Sequence, residues 1–186
     1  MNRKEIFKIL VYQELFLILL SFLWIYFKYD FIDINNIPLS NIRISLYSFL
    51  YGILLSTILL AISSLIIFTY EPLKNNIKTI NELIISKLNY LDILIIAILS
   101  GIAEELLFRG LLQEKIGIIL SNLIFSLLHI LNKDFLVYSL LTFVAGNILG
   151  NVYFYTNDLS IVIIAHIFNN LVAMIFSKNF FKKNNF

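Results

Sequence analysis

The chain has 186 residues, 60% of them hydrophobic, with a net charge of +2 and a mean hydropathy of +0.88. So apolar a composition describes a polytopic membrane protein read as one domain, residues 1–186, and its few scattered basic residues exclude a nucleic-acid-binding surface. The lack of cysteine excludes a disulfide framework, a thiolate nucleophile and any cysteine-ligated metal.

The first apolar segment, residues 6–27, follows Arg3 and Lys4 as a signal sequence would. It is too long for one and lacks a small-x-small cleavage site, so it is read as a retained first span. A second apolar segment covers residues 44–70. Leu73, Ile77, Ile80, Ile84, Leu88 and Leu91 then recur at helical spacing opposite Lys74, Lys78, Asn81 and Asn89, which predicts an amphipathic helix on the cytoplasmic surface. Four further apolar segments, residues 92–112, 116–131, 135–155 and 159–177, complete an all-α bundle of about six transmembrane helices. At 1.5 Å per residue the fourth reaches only about 24 Å, short of a roughly 30 Å hydrocarbon core, so one of its ends is expected to be sunk in the protein. With the N-terminus in the cytoplasm, ten of the fourteen Lys and Arg residues lie inside, and only Lys28, Arg43 and Lys115 lie outside. Both termini are therefore expected in the cytoplasm, and richness in Ile, Asn, Lys and Phe points to a bacterial cell membrane.

Within the third segment stand two adjacent carboxylates. An acidic residue at the centre of a span costs about 2.5–3.5 kcal/mol on insertion scales, so Glu104 and Glu105 need a partner or a use. Glu105 and Arg109, four apart, share a helix face and can form an ion pair, whereas Glu104 is turned away by about 100°. In the fourth segment His129 follows Phe125 by four residues, placing ring and imidazole on one face. His166 and Asn170 are likewise four apart in the sixth. Each histidine taken alone is explained by a helix-end or interhelical hydrogen bond, but both histidines of the chain fall in the half that holds the carboxylates. Gly146 and Gly150 form a small-x-x-x-small packing face beside Asn147 and Asn151, and Tyr153 and Tyr155 are read as interfacial aromatics.

The ordered patterns Glu104-Glu105-x-x-x-Arg109, Phe125-x-x-x-His129 and His166-x-x-x-Asn170 resemble the three signature motifs of the CPBP family, the CAAX-prenyl-protease and bacteriocin-processing membrane proteins, also called Abi or type II CAAX proteases. The resemblance covers residues 92–177, a four-helix catalytic core, with Phe143, Gly146, Gly150 and Tyr153 fitting the family's glycine-bearing helix. Residues 1–91 lie outside it. It implies an intramembrane endopeptidase acting on a membrane-associated peptide or protein. Glu104 would be the general base, His129 would bind and orient the attacking water, and His166 and Asn170 would stabilise the oxyanion. Glu105 and Arg109 would support the architecture. Fixed donors aimed at developing charge are often the largest catalytic contribution, typically about 10²- to 10³-fold per donor.

The cofactor stays open at this level: catalysis without metal is favoured, while Glu104, His129 and His166 would be the zinc ligands if there were one. The helical His-Glu-x-x-His pattern of zinc proteases is absent. Depth is the difficulty, because Glu104 lies about 18 Å along its helix from the inner edge, His129 near that edge and His166 about two turns from the outer one. A sunken turn at Asn132, Lys133 and Asp134 would bring His129 deeper. The competing readings are a non-proteolytic scaffold or bacteriocin self-immunity protein, and an ion pathway, for which no inverted repeat is present.

Overall fold

The computed structural model describes residues 1–28 and 38–183. Helices account for the described chain: α1 (Arg3–Lys28), α2 (Leu46–Thr69), α3 (Glu71–Leu83), α4 (Tyr90–Leu107), α5 (Gln113–Leu127), α6 (Leu136–Thr156) and α7 (Leu159–Lys183). Among the described residues four helical stretches are long and apolar enough to cross a membrane: Arg3–Lys28, Leu46–Thr69, Lys133–Thr156 and Leu159–Lys182. The first two bury only 17% of their most apolar window and expose Phe16, Leu19, Leu54 and Leu65. So large an apolar surface requires an apolar solvent, and the fold is a helical membrane bundle.

Side-chain pairings fix how the helices run. At one end Arg3 Nε meets Asp92 Oδ2 at 2.6 Å; further along, Ile25 packs on Leu107, Phe108 and Leu111, so α1 and α4 are parallel. Tyr90 donates to Asn179 and Asn170 donates to Ser100, which makes α4 and α7 antiparallel. Ser48 donates to Asp158 at 2.6 Å, and Phe68 packs on Phe176 and Phe180, so α2 runs parallel to α7. The start of α1 and the last turns of α7 therefore lie at the same end of the bundle.

The third and fourth predicted segments are one continuous rod and a short return. α4 passes into a π-helical turn, Phe108–Leu112, and on into α5, whose course breaks at Gly117 with φ 79° and ψ 170°. Only glycine adopts such a backbone without strain, so the reversal falls there and not at the boundary expected near residue 112. Beyond it residues 118–127 give about 15 Å of helix, half a span. This return is shorter than the expected segment, and its end is covered by α3, where Asn76 donates to the carbonyl of Asp134 and Phe135 is buried. Asn132, Lys133 and Asp134 themselves remain exposed, so the turn is not sunk in the protein as expected; the shortness of the return helix does that work instead.

Two further expectations are corrected. The amphipathic helix is real but ends at Leu83. Asn81, placed on its polar face by periodicity, is buried, and Asn89 belongs to the next helix, where it forms a capping box with Asp92. Leu91 lies in α4 and is exposed. Tyr153 is not interfacial: it is buried, accepts from Asn41 Nδ2 at 2.9 Å and contacts Glu114, whereas Tyr155 is 82% exposed, as an interfacial aromatic would be.

Candidate active site

α4 and α7 come closest at Gly101, where an added Cβ would collide with the side chain of Ile167 and reach its backbone nitrogen at 3.0 Å. This approach brings two pairs face to face, one helical turn apart. Ser100 accepts from Asn170 Nδ2 at 3.0 Å, and the Oε2 of Glu104 lies 3.6 Å from His166 Nε2. The second distance is too long for a hydrogen bond, and Oε2 of Glu104 has no hydrogen-bond partner among the described residues.

Glu105, one residue on, is bound quite differently. Its Oε1 receives both Arg109 Nη1 at 3.0 Å and His166 Nδ1 at 2.6 Å, with Glu105 and Arg109 fully buried. The sequence offset thus separates a carboxylate that holds two donors on one oxygen, its Oε2 being unpartnered among the described residues, from one whose Oε2 meets only the Nε2 of His166 at 3.6 Å. It also gives Glu105 a task beyond its pairing with Arg109, since a carboxylate can only accept and so fixes the proton on His166 Nδ1. Nε2 of that ring is thereby aimed at Glu104.

Arg109 gathers the surrounding helices. Its Nη2 donates to Asn122 Oδ1 at 3.1 Å and to the carbonyl of Gly146 at 3.2 Å, and its guanidinium lies 4.9 Å from the centre of the Phe125 ring. Gly146 is small for a direct reason: an added Cβ would stand 2.6 Å from Asn122 Oδ1 and 3.2 Å from Arg109 Nη2. One turn later the carbonyl of Gly150 accepts from Gln113 Nε2 at 2.8 Å. The glycine face read as packing therefore also lets two backbone carbonyls reach buried polar side chains. The π turn adds to this, because Phe108 O accepts both Gln113 N–H and Ser121 Oγ.

Phe125 joins the two histidines. Its ring centre is 4.7 Å from that of His129 and 6.3 Å from that of His166, so the imidazoles are separated by no more than the sum of these distances. His129 Nδ1 lies 2.8 Å from the carbonyl of Phe125, and since a carbonyl only accepts, Nδ1 carries a proton and Nε2 is the ring nitrogen left for a further partner. This helix-end bond is the structural explanation available to a lone histidine, and here it also orients the ring. Tyr138, from the start of α6, flanks His129 with ring centres 6.2 Å apart.

Glu104, His129 and His166 do not form a three-ligand metal group among the described residues. The Nδ1 atoms of both histidines are already committed, to Phe125 O and to Glu105. These bonds leave Nε2 of each ring open, and in metal-binding histidines too the second ring nitrogen is commonly held by a carboxylate or a carbonyl.

Sequence reasoning missed Ser100, Asn122 and Gln113, whose roles arise only from tertiary contacts. It also passed over Glu14, buried in α1 and within electrostatic reach of Glu104 and His166. A signal existed for it, since a carboxylate inside an apolar span is a functional candidate by default.

Residues 86–172, which hold all of this network except Glu14, match the family described as type II CAAX prenyl endopeptidase Rce1-like. The uncharacterized protein YpbD of Bacillus subtilis (strain 168) is 38% identical over 89 residues, covering 47% of this chain and 46% of that relative. The match thus spans about half the length of the curated relative. No solved structure matches the chain. Residues 86–172, the stretch that carries Glu104, His129 and His166, are thus similar to the Rce1-like family of type II CAAX prenyl endopeptidases.

Proposed function

We propose that the protein is an intramembrane endopeptidase that hydrolyses a peptide bond of a membrane-associated peptide or protein, with water activated by Glu104. The observation that carries this reading is the facing of Glu104 Oε2 and His166 Nε2 at 3.6 Å, with Ser100 and Asn170 paired one turn away. Glu104 takes a proton from water as the water oxygen attacks the scissile carbonyl carbon. His129 Nε2 accepts the second hydrogen of that water and aligns it. Negative charge develops on the carbonyl oxygen and is met by N–H groups of His166 and Asn170. For His166 to donate from Nε2 its ring must carry both protons, with Nδ1 held by the Glu105 carboxylate. Glu104 then returns its proton to the amine nitrogen as the C–N bond breaks.

The bundle is placed in the cell membrane with the Arg3 and Asn179 end in the cytoplasm, following the distribution of basic residues. The test is cleavage of a library of quenched fluorogenic peptides by purified protein in detergent, beside Glu104→Gln and His129→Ala. Loss of cleavage by about 10²- to 10⁴-fold in Glu104→Gln is expected. Cleavage that survives both substitutions would refute catalysis at this site.

A further inference from the structure

The buried residues of α1 are Ile6, Glu14, Ser21 and Ile25, of which Glu14 alone is ionisable. Glu14 is 3% exposed, and its Oε2 has no hydrogen-bond partner among the described residues. Because α1 runs parallel to α4 and is pinned to it at Arg3–Asp92 and at Ile25, Glu14 is held level with Ser100 and Glu104. Its carboxyl interacts electrostatically with Glu104 and with His166.

The cations around this point are committed elsewhere. Arg109 is bound to Glu105, Asn122 and Gly146; His166 uses Nδ1 on Glu105 and turns Nε2 to Glu104; Arg3 is paired with Asp92 at the helix end. His129 and Tyr138 also face this point; His129 is engaged with Phe125, and the two rings with each other. A buried ionised carboxylate with no cation hydrogen-bonded to it and a second carboxylate within electrostatic reach is strongly disfavoured, whereas a protonated carboxyl is a hydrogen-bond donor. Glu104, as the base, needs one oxygen held and one free.

We propose that Glu14 is a positioning residue of the catalytic centre, its protonated carboxyl donating to Glu104, directly or across one water, through the buried oxygens that have no hydrogen-bond partner among the described residues. The inference rests on Glu104 being the base. It makes α1, which lies outside the family-matching residues, part of the active site.

The experiment compares Glu14→Leu, Glu14→Gln, Glu104→Gln and the unmodified protein on the peptide best cleaved from the fluorogenic library, with unfolding midpoints measured alongside. Glu14→Leu is expected to lower kcat by about 10²-fold with KM within about threefold, as for a displaced catalytic group. Glu14→Gln, which keeps a donor, is expected to recover activity to within about tenfold of the unmodified protein. An unchanged kcat in a folded Glu14→Leu overturns the proposal, and so does a Gln variant as slow as the Leu variant. Full-rate cleavage by Glu104→Gln would instead refute the base assignment, so the two failures are distinguishable. Infrared spectroscopy supplies a readout independent of turnover: the protonated-carboxyl C=O band is expected in the unmodified protein and lost in Glu14→Gln. Its absence from the unmodified protein would also overturn the proposal.

Discussion

Replacing Arg109 with Met removes a fully buried cation while keeping an apolar stem of similar width. Three partners lose their donor: Glu105 Oε1 at 3.0 Å, Asn122 Oδ1 at 3.1 Å and Gly146 O at 3.2 Å, while the Phe125 face loses its cation. Glu105 is then a buried carboxylate held only by His166. Breaking a buried pair by deleting one member costs about 3–5 kcal/mol, because the other charge stays uncompensated. Removing the Glu105 charge as well should recover much of this, so the Arg109→Met and Glu105→Leu pair is expected to show coupling of about 2 kcal/mol, where independent sites add within about 0.5. Equilibrium unfolding in mixed micelles measures it. The single tryptophan, Trp24, packs on the cluster of Leu107, Phe108 and Phe125 and gives a local fluorescence signal. A single-variant loss below about 1 kcal/mol, or additive effects in the double variant, would refute the claim that this ion pair organises the α4–α5–α6 junction.

Other expectations follow from the close approaches. Gly146→Ala would force Asn122 or Arg109 to move and is expected to cost about 1–3 kcal/mol in the same unfolding assay. Gly101→Ala would push α7 from α4 and misplace His166 against Glu104, lowering peptide cleavage by about 10²-fold with the protein still folded. Gly117→Ala meets open space but a positive φ, so it should cost about 1–2 kcal/mol from backbone strain alone, without altering cleavage kinetics at temperatures where the variant is folded.

Much of this centre was legible in the chain because its strongest signals are local. The spacing of four between Glu105 and Arg109 is a helix-face relation, and it survives folding unchanged as a 3.0 Å contact. The same is true of Phe125 with His129, whose ring contact and backbone bond both span four residues. What the sequence concealed is long-range. That Glu105 would also hold His166, sixty-one positions away, depends on the closeness of helices at Gly101, which periodicity does not report. The fourth apolar segment looked like a short span because hydropathy measures length, while the reversal is decided by one positive φ at Gly117. Tyr153 was assigned to the interface by its place near a helix end, but Asn41, from a distant turn, draws its hydroxyl inward. Glu14 was visible as a lone carboxylate in the first span, yet nothing local to it reveals that α1 buries this residue within electrostatic reach of Glu104.

The claim on which everything else depends is that two adjacent glutamates do different work, Glu104 on the substrate and Glu105 on the fold. It is tested most directly by measuring peptide cleavage and unfolding stability together in Glu104→Gln and Glu105→Gln. Glu104→Gln should keep its unfolding midpoint and lose cleavage by at least about 10²-fold. Glu105→Gln, which takes the charge from between Arg109 and His166, should lose stability by about 3–5 kcal/mol. A Glu104→Gln protein that cleaves at the unmodified rate, or a Glu105→Gln protein as stable as the original, would contradict that division.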